Sequence, residues 1–245
     1  MKIIDVNAQI GTLPILGRQF SIDNLLHSMQ KHEVMEAIIS STIGNNIDFV
    51  YGNKVISDVI NKYGNDAKLF GCVTVNCDYL EESQSEMRKY FYEDRFIALR
   101  LTAGERRKMV TLIEAEPILN SHRRFGFPVF VHAINKEEVI EIEKMAKKFD
   151  GMRFIILSMG EDAWKSAVTV ADRTTNIFLE ISGCTNITKI IYAIEKLGSR
   201  RLLYGSALPY VDGSVFKSLV ENSDLEAYQK SDIYYNSAKK LFEWK

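Results

Sequence analysis

Three side chains stand where this chain could do chemistry. His132 closes the apolar run that starts at Pro128, Glu180 sits in the run from Ile177 to Ser182, and Arg100 in the run from Phe96 to Thr102. An imidazole moves protons near neutral pH, a carboxylate can orient it, and a guanidinium presents a fork of donors matched to a carboxylate. Together they suit acid-base work on a small carboxylic acid, with His132 and Glu180 as the catalytic pair and Arg100 as anchor. Each also has a structural alternative: Arg100 locked to Glu180 as a buried pair, and His132 held in the core by hydrogen bonds.

The elements that must position them can be read from periodicity. Short runs rich in Ile, Val, Leu and Phe alternate with longer amphipathic stretches, the pattern of parallel strands buried beneath helices. Strands are predicted at Ile3 to Ile10, Ala37 to Thr42, Leu69 to Asn76, Phe96 to Thr102, Pro128 to Ala133, Arg153 to Ser158, Ile177 to Ser182 and Arg201 to Ser206. Helices are predicted at Asp48 to Tyr63, Glu114 to Phe125, Glu137 to Phe149 and Thr188 to Leu197. Eight units in 245 residues leave about 31 residues each, close to the minimum for a strand, a helix and two turns. The expected fold is therefore α/β, a (β/α)8 TIM barrel, with residues 1–245 forming one domain. No Gly-x-Gly-x-x-Gly follows the first strand, which counts against a dinucleotide-binding sheet.

Active sites of such barrels lie at the carboxyl ends of the strands, and alternation tells which side chains face inward there. Ile97, Leu99 and Leu101 read as facing the helices, leaving Arg100 and Thr102 to the lumen; the same parity turns Asn76, His132, Ser158, Glu180 and Ser182 inward. With Asn7 and Gln9 from the first strand they form a polar mouth. Asn7, Gln9, Asn76, Arg100, Ser158 and Ser182 are the expected substrate-binding residues.

Five segments resemble the amidohydrolase-related family, the branch of the amidohydrolase superfamily that holds metal-dependent hydrolases and decarboxylases. Ile4-Asp5-Val6-Asn7-Ala8-Gln9 is similar to its first strand, Pro128-Val129-Phe130-Val131-His132 to its fifth, and Ile156-Leu157-Ser158-Met159-Gly160 to its sixth. Leu202-Leu203-Tyr204-Gly205-Ser206-Ala207-Leu208-Pro209 resembles its eighth, and Asn236-Ser237-Ala238-Lys239-Lys240-Leu241-Phe242 its closing helix. The resemblance implies a metal held by two histidines on strand one, one after strand five, one after strand six and an aspartate after strand eight. Those positions carry Asn7, Gln9, His132, Ser158 and Ala207 here. Amide, hydroxyl and methyl groups are poor ligands for zinc, so the expectation is a degenerate site with no metal and no other cofactor.

Thirty-one basic residues against thirty-two acidic ones leave a net charge of -1, which offers no global field for nucleic acid or anionic lipid. Asp5 interrupts the first apolar stretch and no later run reaches membrane-spanning length, so neither export nor embedding is expected. Three cysteines fit a reducing compartment, and the cytoplasm is the expected location. Cys72 and Cys77 read as core thiols, and Cys184 as packing rather than a nucleophile. His27, His32 and His122 read as surface residues of helical stretches, and Gly44 as a weak candidate for an anion-binding turn. Two functional readings remain open. One is a divergent barrel that binds a small, anionic molecule, a carboxylate among the candidates, or pairs with a second copy or a related barrel. The other is a metal-independent hydrolase, lactonase or decarboxylase using His132 with Arg100 and Glu180.

Overall fold

The computed structural model describes residues 1–13, 17–104, 108–242 and 244. Its strands are β1 (Ile3–Leu13), β2 (Arg18–Phe20), β3 (Val34–Ser41), β4 (Leu69–Asn76), β5 (Phe96–Thr102), β6 (Val129–His132), β7 (Phe154–Leu157), β8 (Ile177–Glu180) and β9 (Leu202–Leu203). They form one curled sheet in the order β2-β1-β3-β4-β5-β6-β7-β8-β9, parallel except for the antiparallel β1–β2 pair. Eight of the nine correspond to the predicted runs. The addition, β2, folds back on the end of β1 with Leu13 opposite Arg18, in a stretch too short and polar to read as a strand.

The helices that separate the strands include α2 (Thr42–Asn46), α3 (Phe49–Ala67), α4 (Leu80–Tyr90), α5 (Leu112–His122), α6 (Lys136–Lys148), α7 (Trp164–Arg173) and α8 (Ile187–Leu197), with α1 (Ile22–Lys31) preceding them. Helix α6 illustrates why these segments are helical. Asn135 caps it by accepting from the Glu138 N–H, and Glu137 and Glu138 lie at the positive end of the helix dipole with Lys147 and Lys148 at the negative end. Val139, Ile142, Met145 and Ala146 recur at helical spacing and are buried, each larger side chain contributing about 1.5–3 kcal/mol. Beneath the helices, Val73, Leu99, Val129, Ile155 and Leu179 are fully buried. The uninterrupted apolar strands thus reflect burial on both faces.

Strand β9 is shorter than its predicted run because the chain after Leu203 leaves regular pairing and engages β1 bond by bond. The Val6 N–H donates to Tyr204 O at 3.0 Å, the Ala207 N–H to Asn7 O at 3.1 Å, and the Gln9 N–H to Leu208 O at 2.9 Å. In between, the buried carboxylate of Asp5 accepts from the backbone N–H of Asn7 and of Ser206, both at 3.0 Å. Burial pushes the Asp5 carboxyl above its ordinary range, and these hydrogen bonds oppose the shift. Among the described residues no helix is long and apolar enough to cross a membrane.

Candidate functional site at the carboxyl ends of the strands

Asn7 of β1 is the centre of the site. Its Oδ1 accepts from Arg100 of β5 at 2.6 Å, and its Nδ2 donates to Glu180 of β8 at 3.0 Å. The guanidinium and the carboxylate are 8% and 0% exposed and are joined through this one amide. The Glu180 Oε2 also accepts from the Ser158 N–H at 3.2 Å and the Ser182 hydroxyl at 2.7 Å, while Oε1 accepts from the Ser182 N–H at 2.5 Å. Burial raises the Glu180 carboxyl above its usual range, against the lowering effect of Ser182, Ser158 and Asn7. Burial likewise lowers the Arg100 pKa, opposed by Cys72, Tyr210 and Glu180. Gly205 lies against this carboxylate, and a Cβ there would collide with it and come within 2.9 Å of the Asn7 Cβ.

Gln9, two residues beyond Asn7 and on the same face of β1, belongs to a second network. Its Oε1 accepts from Asn45 of α2 at 2.8 Å; the same Asn45 Nδ2 donates to Ser40 at 3.0 Å, and Asn45 Oδ1 accepts from Thr74 at 2.9 Å. Asn76 serves the backbone instead: its Oδ1 accepts from the Asp78 N–H at 3.0 Å and its Nδ2 donates to Gly104 O at 3.1 Å, fixing the turns after β4 and β5.

His132 stands apart from Glu180. Its Nε2 lies 3.0 Å from the Glu161 carboxylate, with both side chains partly exposed. Glu161 follows β7 in a backbone run with positive φ at Ser158 (53°), Met159 (52°), Gly160 (79°) and Glu161 (46°). Three of these four residues carry side chains, and left-handed backbone at such residues stores strain of the order of 1 kcal/mol each. The run turns the chain sharply enough to bring Glu161 back over the end of β6.

Several sequence expectations are corrected. Among the described residues no ion pair joins Glu180 to His132 or to Arg100; Glu180 does not orient the histidine because Asn7, Ser158 and Ser182 occupy its oxygens. His122 is fully buried, its Nε2 2.8 Å from Phe127 O and its ring among Phe91 and Phe125, which drives its pKa down to about 4. His32 is also buried, 3.6 Å from Asp212, whereas His27 is exposed. Gly44 is a packing residue: a Cβ at Gly52 would strike the Gly44 backbone, so the pair lets α2 and α3 touch. The three cysteines are buried, and burial pushes Cys72 and Cys77 up to about 12 and raises Cys184, all unsuited to nucleophilic work.

Asn45 and Glu161 are site residues that sequence reasoning missed. Each lies in the first turn beyond a strand end, at Ser40-Ser41-Thr42-Ile43-Gly44-Asn45 and Ser158-Met159-Gly160-Glu161, where side chains lean back over the mouth. The donor set suits a divalent cation poorly. Asn7 Oδ1 already accepts from a guanidinium, Gln9 Oε1 from Asn45, and Ala207 offers no side-chain donor. No group of three His, Cys, Asp or Glu among the described residues has metal-holding geometry.

Comparison with known proteins agrees with the fold. The chain superposes on 2,6-dihydroxybenzoate decarboxylase from Rhizobium with a TM-score of 0.81 at 12% identity, covering 98% of each chain. Dihydroxybenzoic acid decarboxylase from Polaromonas sp. JS666, solved with bound manganese and the inhibitor 2-nitroresorcinol, matches with a TM-score of 0.81 at 14% identity, covering 98% of this chain and 96% of that one. For 5-carboxyvanillate decarboxylase from Sphingomonas paucimobilis the TM-score is 0.77 at 12% identity, with coverage of 100% and 99%. No curated protein sequence matches. The family model described as Amidohydrolase matches residues 49–244, well over half of the chain and including β4 to β9. The chain belongs to the amidohydrolase family.

Proposed function

We propose that this protein is a metal-independent amidohydrolase relative, a closed eight-fold barrel in one domain, that binds a small carboxylate in its strand-end mouth with Arg100 as anchor. One observation carries the reading: among the described residues the buried Arg100 Nε has no hydrogen-bond partner, while both oxygens of Glu180 are consumed by Asn7, Ser158 and Ser182. A sealed N–H without an acceptor costs about 1–3 kcal/mol. A site that spends its acceptors internally and leaves donors unsatisfied is complementary to an anion. The poor fit of Asn7, Gln9, Ser158 and Ala207 to a divalent cation supports the metal-independent part.

The test is thermal unfolding with acetate, benzoate, 2,6-dihydroxybenzoate and 5-carboxyvanillate, the last two taken from the names of the structural relatives. A carboxylate at 100 times its Kd should stabilise the protein by about 2.7 kcal/mol, and a chain of this size should gain roughly 2–4 °C per kcal/mol. No shift with any of them at 10-fold steps up to millimolar concentration would refute the reading. So would elemental analysis finding about one manganese or zinc per chain after dialysis.

A second reading, decarboxylation of the bound acid, is favoured by the His132–Glu161 contact at 3.0 Å and by the decarboxylases among the structural relatives. In it, His132 delivers a proton to the carbon that loses CO2, the electron pair of the broken C–C bond taking up that proton, and Glu161 holds the ring and balances its charge. Release of CO2 from 2,6-dihydroxybenzoate by the wild type but not by His132→Gln, with equal binding by both, would establish it; binding without release would leave the carboxylate-binding function alone.

A further inference from the structure

Gln9 is 6% exposed, and its two polar atoms are treated differently by the protein. Oε1 accepts from Asn45 Nδ2 at 2.8 Å. Nε2 has no partner among the described residues and is not one of the sealed, unpartnered atoms, so it opens on solvent at the mouth. Which end of a primary amide faces a cavity is decided by what holds the other end. Asn45 holds it, and is itself held: Nδ2 donates to Ser40 at 3.0 Å, and Oδ1 accepts from the Thr74 hydroxyl at 2.9 Å. In this orientation both polar atoms of Asn45 are used, and Asn45 comes from α2, which the Gly44–Gly52 contact packs against α3.

Strand register places this amide beside the anchor. Gln9 is two residues beyond Asn7 on the inward face of β1, a rise of roughly 7 Å toward the mouth, and Asn7 is the residue that binds Arg100 at 2.6 Å. Thr74, which holds Asn45, is the register partner of Arg100 across β4 and β5. Gln9 and the Asn45–Thr74 link thus form one connected chain of side chains beside Arg100.

We propose that Asn45 is a positioning residue that turns the Gln9 amide so that its N–H group, rather than its carbonyl, meets a carboxylate held by Arg100. This rests on the carboxylate-binding function above and adds its second donor. The residue acts through wiring: with the opposite wiring, in which Gln9 donates to Asn45, a carbonyl oxygen would face the anion and repel it. Selection between a carboxylate and the isosteric carboxamide then depends on a side chain that touches neither.

Asn45→Asp forces the opposite wiring, because an ionised carboxylate at position 45 only accepts and must take the Gln9 N–H. The probes are benzoate and benzamide, measured by calorimetry on the full chain. Wild type should prefer benzoate; in Asn45→Asp benzoate affinity should fall about tenfold or more, as expected for losing a hydrogen bond to a charged group, with benzamide affinity unchanged or raised. A merely structural role would weaken both probes alike, and that outcome, or an unchanged ratio, overturns the proposal. A measurement on the wild type guards against an unfolded variant: the Gln9 side-chain NH2 pair in a 1H–15N spectrum should move on addition of benzoate, and a stationary pair in a protein that binds benzoate overturns the proposal alone. Absence of any benzoate or acetate binding by the wild type overturns the carboxylate-binding function together with it.

Discussion

Replacing Glu180 by Gln should move folding and binding in opposite directions. The carboxylate makes three hydrogen bonds through Oε2, to Asn7, Ser158 and Ser182 Oγ, and one through Oε1, to the Ser182 N–H. An amide whose oxygen takes the Oε2 place keeps the three but turns its NH2 toward the Ser182 N–H. The lost charged acceptor and the opposed donors together cost about 3 kcal/mol, and release from burying a charge returns part of it, leaving a net loss of about 2 kcal/mol at neutral pH. Binding responds to charge. A carboxylate on Arg100 would be separated from Glu180 by the guanidinium and the Asn7 amide, roughly 7 Å, which at an effective dielectric of about 20 is a repulsion of about 2 kcal/mol. Glu180→Gln removes it, so carboxylate affinity should rise by roughly thirtyfold in low salt. Acid should imitate the mutation in the wild type. Because the folded pKa of Glu180 is raised, its contribution to stability is fully present below the ordinary carboxyl pKa and is lost as pH rises through the folded value. Within that window benzoate affinity should climb on acidification in wild type and stay flat in Glu180→Gln. Urea unfolding gives the first quantity and calorimetry the second. Weaker binding by the variant would refute the arrangement of charge argued here.

Two further outcomes follow from buried groups elsewhere. His122, held neutral with a pKa of about 4 against an ordinary value of about 6.5, contributes stability that is present above the ordinary value and lost as pH falls through the folded one, about 3 kcal/mol in all; His122→Leu should flatten that part of the urea-derived stability curve between pH 7 and 4, and an unchanged slope would contradict the burial argument. Gly52→Ala should destabilise by about 1–3 kcal/mol and also weaken benzoate binding, since the added methyl meets the Gly44 backbone and pushes α2, with Asn45, away from Gln9; full stability in thermal unfolding would show that the helices are not in contact.

The strands were legible because both their faces are buried, so each reads as an apolar run. Alternation along β5 and β8 also placed Arg100 and Glu180 inward, where Asn7 joins them. Alternation gives the side of a strand but not the height or reach of a side chain across the lumen, and the pairing of His132 with Glu180 failed on that ground. The histidine's carboxylate arrives from a turn whose direction depends on four consecutive positive φ angles, and only Gly160 among those residues hints at them. Asn45 was hidden for the same reason: a polar residue in a turn looks solvated until the fold carries it back over Thr74. The burial of His122 was obscured by its place at the end of a helix, because the groups that enclose it lie outside that helix, the rings of Phe91 after α4 and Phe125 before β6 and the backbone carbonyl of Phe127.

The interposed amide at position 7 decides what kind of site this is. A guanidinium and a carboxylate that met directly would form a bidentate pair, using two of the five N–H groups and neutralising the charge that would otherwise attract a ligand. Asn7 uses one Arg100 N–H at 2.6 Å and passes the opposite end of its own dipole to Glu180 at 3.0 Å. The carboxylate still balances the buried positive charge, at a range where attraction is weaker, while the Nε edge keeps its donor unpaired. A buried ion pair bridged in this way sacrifices stability relative to a direct one, and a sequence selected for folding alone would have no use for the arrangement. The same polarity appears at Gln9, whose acceptor is tied down and whose donor has no partner among the described residues. Two networks, one built on Glu180 and the other on Asn45, thus each leave a donor without an acceptor among the described residues, sealed at Arg100 and open at Gln9, and that agreement is the physical basis for assigning the site a negatively charged ligand.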